Sequence, residues 1–325
     1  MLVQAWLDAH YNFQTDRQDW YDTIETFTCH LWNWLMGSII QQLKTLGIDR
    51  ITLIPTGLLS FLPFHAAWTE DKSTPTQRRY AFDDIHITYA PNAKSLTTAR
   101  AIADRVQADS ILAIDNPSQD LDNSDQEVQA AIASFLPQAT ILRHHHATTT
   151  AVKTALPQAS IAHFSCHGTA NLNEPLNSGL AMSDGLLTLK DIFALNLAES
   201  GGLRLAILSA CETGIQGLEN ADEAISLPTG LLQAGVAAII SSLWSVDDRS
   251  TRILLTRFYD LWRKEYLEPA EALRQAQFWV RDTSSQQKAQ YFKETNPDLF
   301  QDLILLPPNY FSHPFHWAAF SYTGV

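Results

Sequence analysis

The chain has 325 residues, of which 46% are hydrophobic and 18% charged, so it can bury a large core and does not have the composition of a disordered protein. Its 22 Lys and Arg residues are outnumbered by 35 Asp and Glu residues, and the net charge of -13 argues against a nucleic-acid-binding surface. The three cysteines, Cys29, Cys166 and Cys211, are too few for a disulfide framework and indicate a reducing compartment. A signal segment and a membrane-length apolar run are both lacking, so we expect a soluble, cytoplasmic protein.

The first third of the chain is predicted to be mixed. Residues 1–47 are expected to be helical, because apolar side chains recur at spacings of three or four. A short strand over 51–54, a polar loop over 69–79, a strand over 85–89 and a helix over 93–105 are predicted to follow.

Strands and helices alternate regularly after residue 108. The predicted strands cover 111–114, 140–143, 161–166, 203–209 and 237–246, and the predicted helices cover 126–136, 149–156, 187–195, 227–233, 250–266 and 269–281. This alternation predicts a mostly parallel sheet with helices on both faces, whose chemistry lies at the carboxyl ends of the strands. The change of pattern predicts two domains, 1–107 and 108–325.

Two of these strands end in residues that could form a thiol site. One runs into His167-Gly168 and the other into Ala210-Cys211, so parallel neighbouring strands would bring His167 and Cys211 to one edge of the sheet. A cysteine attacks as the thiolate, and a nearby imidazole can take its proton. The N–H groups of Gly168 and Cys211 could then stabilise an oxyanion.

This pattern alone leaves a structural interpretation open. A free cysteine at the end of an apolar strand is usually a small core residue, and a single histidine after a strand is more often structural than catalytic. Cys166 and His163 are both expected to be structural, since the first alternates away from His167 along the strand. The spacing of the Cys and His residues does not match a zinc site, so neither a metal nor a cofactor is expected.

The residues around His167 and Cys211 also carry a resemblance to a known family. His163-Phe164-Ser165-Cys166-His167-Gly168 and Leu208-Ser209-Ala210-Cys211-Glu212-Thr213-Gly214 resemble the two signature blocks of the CHAT family, caspase-like peptidases that are related to separase. Further blocks that match in family order begin at Ile51, Ser183, Ala234, Ser242 and His313.

The resemblance implies a caspase-like α/β fold in which a degenerate, non-catalytic N-terminal half precedes the active half. It also implies that His167 and Cys211 form the catalytic dyad of a cysteine endopeptidase that acts on a protein substrate and is controlled by a partner, often in bacterial signalling or defence. The family's usual tetratricopeptide repeats are absent from this sequence. The alternative is a catalytically silent interaction scaffold that has kept the fold.

Acidic residues near the predicted site suggest cleavage after a basic residue. Asp247 is the first candidate for the pocket that holds the residue before the scissile bond, and Asp184 is the second. A helix begins close to Asp247, so one of the two neighbouring acids should be its N-cap. We assign that role to Asp248 and the pocket role to Asp247. Asp184 could instead belong to a turn with Gly185.

Overall fold

The computed structural model describes residues 2–13, 15–74, 76–121, 123–171, 173–209, 212–216 and 226–325, with the side chains at 2, 11 and 212–216 outside the description. The strands are β1 (Arg50–Leu53), β2 (Trp68–Glu70), β3 (Arg78–Tyr80), β4 (His86–Tyr89), β5 (Ile111–Asp115), β6 (Ala139–Arg143), β7 (Ile161–Ser165), β8 (Gly168–Asn171), β9 (Gly179–Met182), β10 (Gly185–Thr188), β11 (Leu205–Leu208), β12 (Glu212–Gln216), β13 (Ala238–Ser242) and β14 (Phe320–Gly324). The helices are α1 (Leu2–Tyr11), α2 (Arg17–Leu31), α3 (Gly37–Thr45), α4 (Ala81–Asp84), α5 (Ala93–Ala103), α6 (Ser124–Ile132), α7 (Thr149–Ala155), α8 (Leu189–Ala194), α9 (Leu227–Ala234), α10 (Asp248–Arg263), α11 (Pro269–Asp282), α12 (Ser285–Phe292), α13 (Pro297–Ile304) and α14 (Pro314–Trp317). A π-helical turn, Trp32–Met36, joins α2 to α3.

An eight-stranded sheet with the order β1-β4-β14-β13-β11-β7-β5-β6 lies at the centre of the fold. Every neighbouring pair in it is parallel except β13 and β14, so the predicted mostly parallel sheet is confirmed. Because the direction reverses at that pair, β1, β4 and β14 run opposite to the other five strands. The carboxyl ends of β1 and β4 therefore lie at the edge opposite to the one that β7 and β11 reach.

Both faces of the central sheet are covered, as the sequence predicts. Along β5, Ile111 and Ala113 belong to one hydrophobic cluster, and Leu112 and Ile114 belong to the other. This alternation follows from the two-residue period of a strand. The first cluster is rich in buried aromatic side chains, including Trp20, Trp244 and Trp317, and each such side chain contributes roughly 1.5–3 kcal/mol of burial free energy.

Some elements differ from the prediction. The predicted polar loop over 69–79 is bounded by an antiparallel hairpin of β2 and β3. The helix predicted over 187–195 begins at Leu189, because the residues before it form β10. A second sheet, with the order β10-β9-β8-β12, was not predicted at all. Its strands β8 and β12 begin directly after His167 and Cys211, and this position makes the second sheet part of the site.

Candidate active site

Two parallel strand pairs flank the predicted dyad. In the central sheet, Phe164 of β7 lies opposite Leu208 of β11. In the second sheet, Gly168 of β8 lies opposite Glu212 of β12, again in parallel. Both pairs join residues 44 positions apart, which is also the separation of His167 and Cys211 in the sequence. The segments that lead into and out of His167 are thus paired with those on either side of Cys211, which itself lies outside the described residues.

His167 is held by an acid that the sequence analysis missed. Its Nε2 atom lies 3.0 Å from Oδ1 of Asp120, and the two side chains are 37% and 59% exposed. The hydroxyl of Ser118 donates a hydrogen bond to the same carboxylate and is the main cause of the lowered pKa of Asp120, to which His167 also contributes. At neutral pH Asp120 is therefore an ionised acceptor for the imidazole.

The loop that carries Asp120 is shaped by Asn116. The backbone N–H of Asn116 donates to the carbonyl of Ser165 at the end of β7, at 2.9 Å. Its side-chain Oδ1 accepts from the backbone N–H of Asp120 at 3.1 Å, and its Nδ2 donates to the carbonyl of Leu121. Asn116 has φ +46, in the left-handed region that asparagine tolerates. An Asn-Pro pair directly after a strand that neighbours the histidine strand was the available sequence signal.

A buried hydrogen-bonded network lies below the site. The ring of His163, on β7, is fully buried, with Nδ1 2.9 Å from the Tyr259 hydroxyl and Nε2 2.8 Å from Oε1 of Glu127. The other carboxylate oxygen of Glu127 accepts a hydrogen bond from Ser209, at 3.0 Å. His163 is therefore structural, as predicted. Glu127 links helix α6 to the residue two positions before Cys211.

The two described cysteines are poor nucleophiles. Cys166 is buried, as predicted, and burial is the main cause of the raised pKa of its thiol, with Glu127 adding to the effect. The pKa of Cys29 is also raised, first by partial burial and then by Glu70. Since the thiolate is the reactive form, both thiols should react slowly at neutral pH.

The acids predicted for a substrate pocket both contact backbone N–H groups. Oδ1 of Asp247 accepts from the N–H groups of Arg249 and Ser250, at 3.0 and 3.3 Å, so Asp247 is the N-cap of α10. The assignment of the cap to Asp248 was wrong by one residue, because α10 already includes Asp248. Asp184 accepts at both carboxylate oxygens from the backbone and hydroxyl of Thr149.

Asp247 lines a cavity of about 330 Å³. Three arginines, Arg17, Arg249 and Arg252, line the same cavity together with Asp248 and Asp302. Asp184 lies elsewhere, on the turn between β9 and β10, where it contacts the start of α7. The structure therefore does not bring the two candidate acids together.

The described residues contain no group of three or more His, Cys, Asp or Glu side chains placed to hold a metal ion. Among those same residues no helix has the length and hydrophobicity needed to cross a membrane.

Comparisons with known proteins identify the family and the fold. A family model described as CHAT domain matches residues 27–325. Separase in the Saccharomyces cerevisiae separase–securin complex superposes with a TM-score of 0.54 and 12% identity, over 84% of this chain and only 15% of that chain. The complex of Porphyromonas gingivalis RgpB pro- and mature domains gives a TM-score of 0.51 and 11% identity, over 93% of this chain and 68% of that chain. A comparison with curated proteins finds no match. The shared fold is caspase-like, as predicted.

Proposed function

Because the chain belongs to the CHAT domain family, a family of caspase-like cysteine peptidases, we propose that it is a cysteine endopeptidase with His167 and Cys211 as its catalytic dyad. The observation that carries the proposal is the pairing of Phe164 with Leu208 before the dyad and of Gly168 with Glu212 after it, each at the 44-residue separation of His167 and Cys211. A peptidase of this kind needs the imidazole and the thiol at adjacent strand ends, and paired flanking segments favour that arrangement.

In the proposed reaction, His167 removes the proton from the Cys211 thiol, and the thiolate attacks the carbonyl carbon of the scissile peptide bond. The N–H groups of Gly168 and Cys211 stabilise the oxyanion that forms. When the C–N bond breaks, the imidazolium of His167 donates its proton to the leaving amine. Water then hydrolyses the thioester, with His167 as general base, and releases the acid product and the free thiol. Asp120, on Nε2, orients the ring so that Nδ1 can exchange protons with the thiol.

Labelling of the thiol tests this proposal directly. A peptide that carries an electrophilic acyloxymethyl ketone after arginine should modify Cys211 much faster than Cys29 and Cys166, whose pKa values are raised. The Cys211→Ala variant should react at the slow background rate, and Cys29→Ala should react like the wild type. Equal rates at all three cysteines in the native protein would instead favour the scaffold alternative.

The contact of Asp120 with His167 predicts a modest kinetic effect. Asp120→Asn keeps an acceptor oxygen but removes the charge, and because the pair is exposed we expect kcat/KM to fall by about two- to fivefold. The ionised carboxylate makes the contact, and its pKa is lowered. The difference in kcat/KM between the wild type and Asp120→Asn should therefore be present above that pKa and disappear as the pH falls through it. In pH profiles of both proteins the difference should persist at neutral pH and be lost only in acid, as Asp120 becomes protonated. A ratio of one at neutral pH would exclude an orienting role.

For specificity we propose cleavage after arginine or lysine, with Asp247 as the acid that recognises it. Asp184 is the weaker candidate, because Thr149 occupies both of its carboxylate oxygens. Asp247→Asn is a selective test, since asparagine is also a good N-cap and α10 should stay intact. We expect kcat/KM for peptides with a basic residue to fall about tenfold, and that for an uncharged analogue to stay the same. The same assay on Asp184→Asn decides between the two acids, and no change in either variant would exclude both.

We further propose that a protein partner controls this site. Separase, which has the same fold, forms a complex with another protein, securin. We extend the binding of a protein partner to this chain and propose that the partner controls the site. A tetratricopeptide-repeat protein in a bacterial signalling or defence pathway is the partner that the family suggests. Co-purification with the products of neighbouring genes, followed by assays with and without the bound protein, tests this part of the proposal.

A further inference from the structure

A polar cavity of about 270 Å³ lies over the central sheet, on the face that carries α9. Its walls come from α9 and from the segments that follow β1 and β4, and its floor comes from β13 and β14. Of the described residues of the proposed peptidase site, neither His167 nor Asp120 lines this cavity.

Three hydroxyl groups form the floor. Ser241 lies opposite Ser321, and Thr323 lies one pair further along β14, opposite Ile239, so all three side chains lie on the same face of the sheet. Ser241 and Ser321 are each 6% exposed, and Thr323 is 8% exposed. Within the described part of the chain, none of the three hydroxyls has a hydrogen-bond partner. The neighbouring Ser242 also has a hydroxyl without a partner, but the two-residue period of β13 places that side chain on the opposite face of the sheet.

Unpartnered hydroxyls are unusual in this position. In β11, for example, Leu205–Leu208 are all apolar and buried. The hydroxyl oxygens of Ser241, Ser321 and Thr323 are instead accessible from the cavity, and their hydrogen-bonding capacity faces it. A hydrogen-bonding ligand that fills the cavity would bond to hydroxyls that have no partner in the described part of the chain.

The lining residues restrict what such a ligand can be. Among the described residues, no Asp, Glu, Lys, Arg or His lines the cavity, so a charged ligand would lose its hydration without gaining a counter-charge from them. The floor hydroxyls and the amide of Gln233 can both donate and accept hydrogen bonds, while Phe61 and Leu243 supply apolar wall. The volume of about 270 Å³ lies just below the usual range of small-molecule pockets, so the cavity would take one small group or one side chain.

We propose that this cavity is a binding site for an uncharged group that both donates and accepts hydrogen bonds, a carboxamide or a hydroxyl. The group could be carried by a polypeptide side chain or by a free small molecule. The site does not depend on the proposed peptidase activity, and its test requires no catalysis.

Three probes test the site. N-acetyl-L-glutaminamide represents a polypeptide side chain, acetamide represents a free small molecule, and N-acetyl-L-leucinamide is the apolar control of similar size with the same backbone amides. Binding is followed through the methyl signal of Thr323 in a threonine-labelled sample, which reports on the floor itself. We expect at least one carboxamide to bind with a saturable shift and the leucine probe to give none. Similar affinities for both carboxamides would indicate the small-molecule source, and tighter binding of the glutamine probe would indicate a polypeptide.

A variant without two floor hydroxyls provides the second arm. Ser321→Ala with Thr323→Val preserves shape, and we expect it to weaken carboxamide binding, measured by calorimetry, about tenfold. The hydroxyl of Ser321 is replaced by hydrogen and that of Thr323 by a methyl group, and since neither hydroxyl has a described partner the Tm of the variant should equal or exceed that of the wild type. Thr97→Val, on an exposed turn of α5, is the matched control and should bind normally. The proposal is overturned if neither carboxamide binds, if the leucine probe binds equally well, or if the double variant binds like the wild type. A Tm several degrees lower would also overturn it, because the hydroxyls would then have partners in the free protein.

Discussion

Replacing His167 with alanine is expected to lower kcat/KM for a peptide substrate by about 10²- to 10⁴-fold, the usual contribution of a general acid–base residue. The free energy of unfolding should change by less than about 0.5 kcal/mol, because the side chain is partly exposed and its described contact is with the exposed Asp120. The measurement is steady-state hydrolysis of a fluorogenic peptide, together with urea unfolding of the same samples.

His145→Ala is the matched control for this prediction. His145 is an exposed histidine that follows β6 and contacts the tilted ring of His146, so it offers the same chemical change outside the site. It should retain the wild-type rate. Added imidazole should restore part of the activity of His167→Ala but should not affect His145→Ala. A His167→Ala variant that keeps more than a tenth of the wild-type rate would mean that another group deprotonates the thiol.

Replacing Glu127 with alanine is expected to lower the free energy of unfolding by about 3–5 kcal/mol. Glu127 is 6% exposed, and its removal would leave the buried His163 and the half-buried Ser209 without their shared acceptor. Urea unfolding at pH 7 measures the loss. Glu127→Gln keeps the shape and one acceptor oxygen, so it should cost less and remain folded for kinetic assays.

Two comparisons make the Glu127 prediction specific. Asp125→Ala removes an exposed acid from the first turn of the same helix and should cost no more than about 1 kcal/mol. Glu127→Gln should also slow labelling of Cys211 more than Asp125→Ala does, because Ser209 precedes that residue by two positions. If Glu127→Ala unfolds at the same urea concentration as the wild type, the network does not support the strand end.

Most of the central sheet could be predicted because its information is local. Short apolar runs and amphipathic repeats alternate after residue 108, and the structure reproduces each of those strands and helices to within a few residues. The second sheet could not be predicted in this way. Its strands β8 (Gly168–Asn171) and β12 (Glu212–Gln216) carry glycine and polar residues in place of an apolar run, and β12 pairs with β8 across more than forty residues. Nothing in either local pattern specifies that partner.

Some residues of the site could likewise be predicted from local sequence, and others could not. His167 could be identified because it follows a strong strand signal and belongs to a motif. Asp120 could not, because its contact with His167 depends on how Asn116 folds the loop back onto the end of β7. The error between Asp247 and Asp248 has a different origin, since a shift of one residue in a helix boundary exchanges the cap with the first helical residue.

The position of β14 has a consequence for biosynthesis. Strand β14 lies between β4 and β13 and joins the N-terminal strands to the rest of the central sheet, although it follows all the other strands of that sheet in chain order. Until it emerges, β4 and β13 each present an open edge, which is a template for pairing with other chains. A nascent chain that has already made His167 and Cys211 therefore still lacks a continuous sheet. Stalled or truncated chains should accumulate as aggregates, and newly made protein should depend on chaperones until synthesis has passed Gly324.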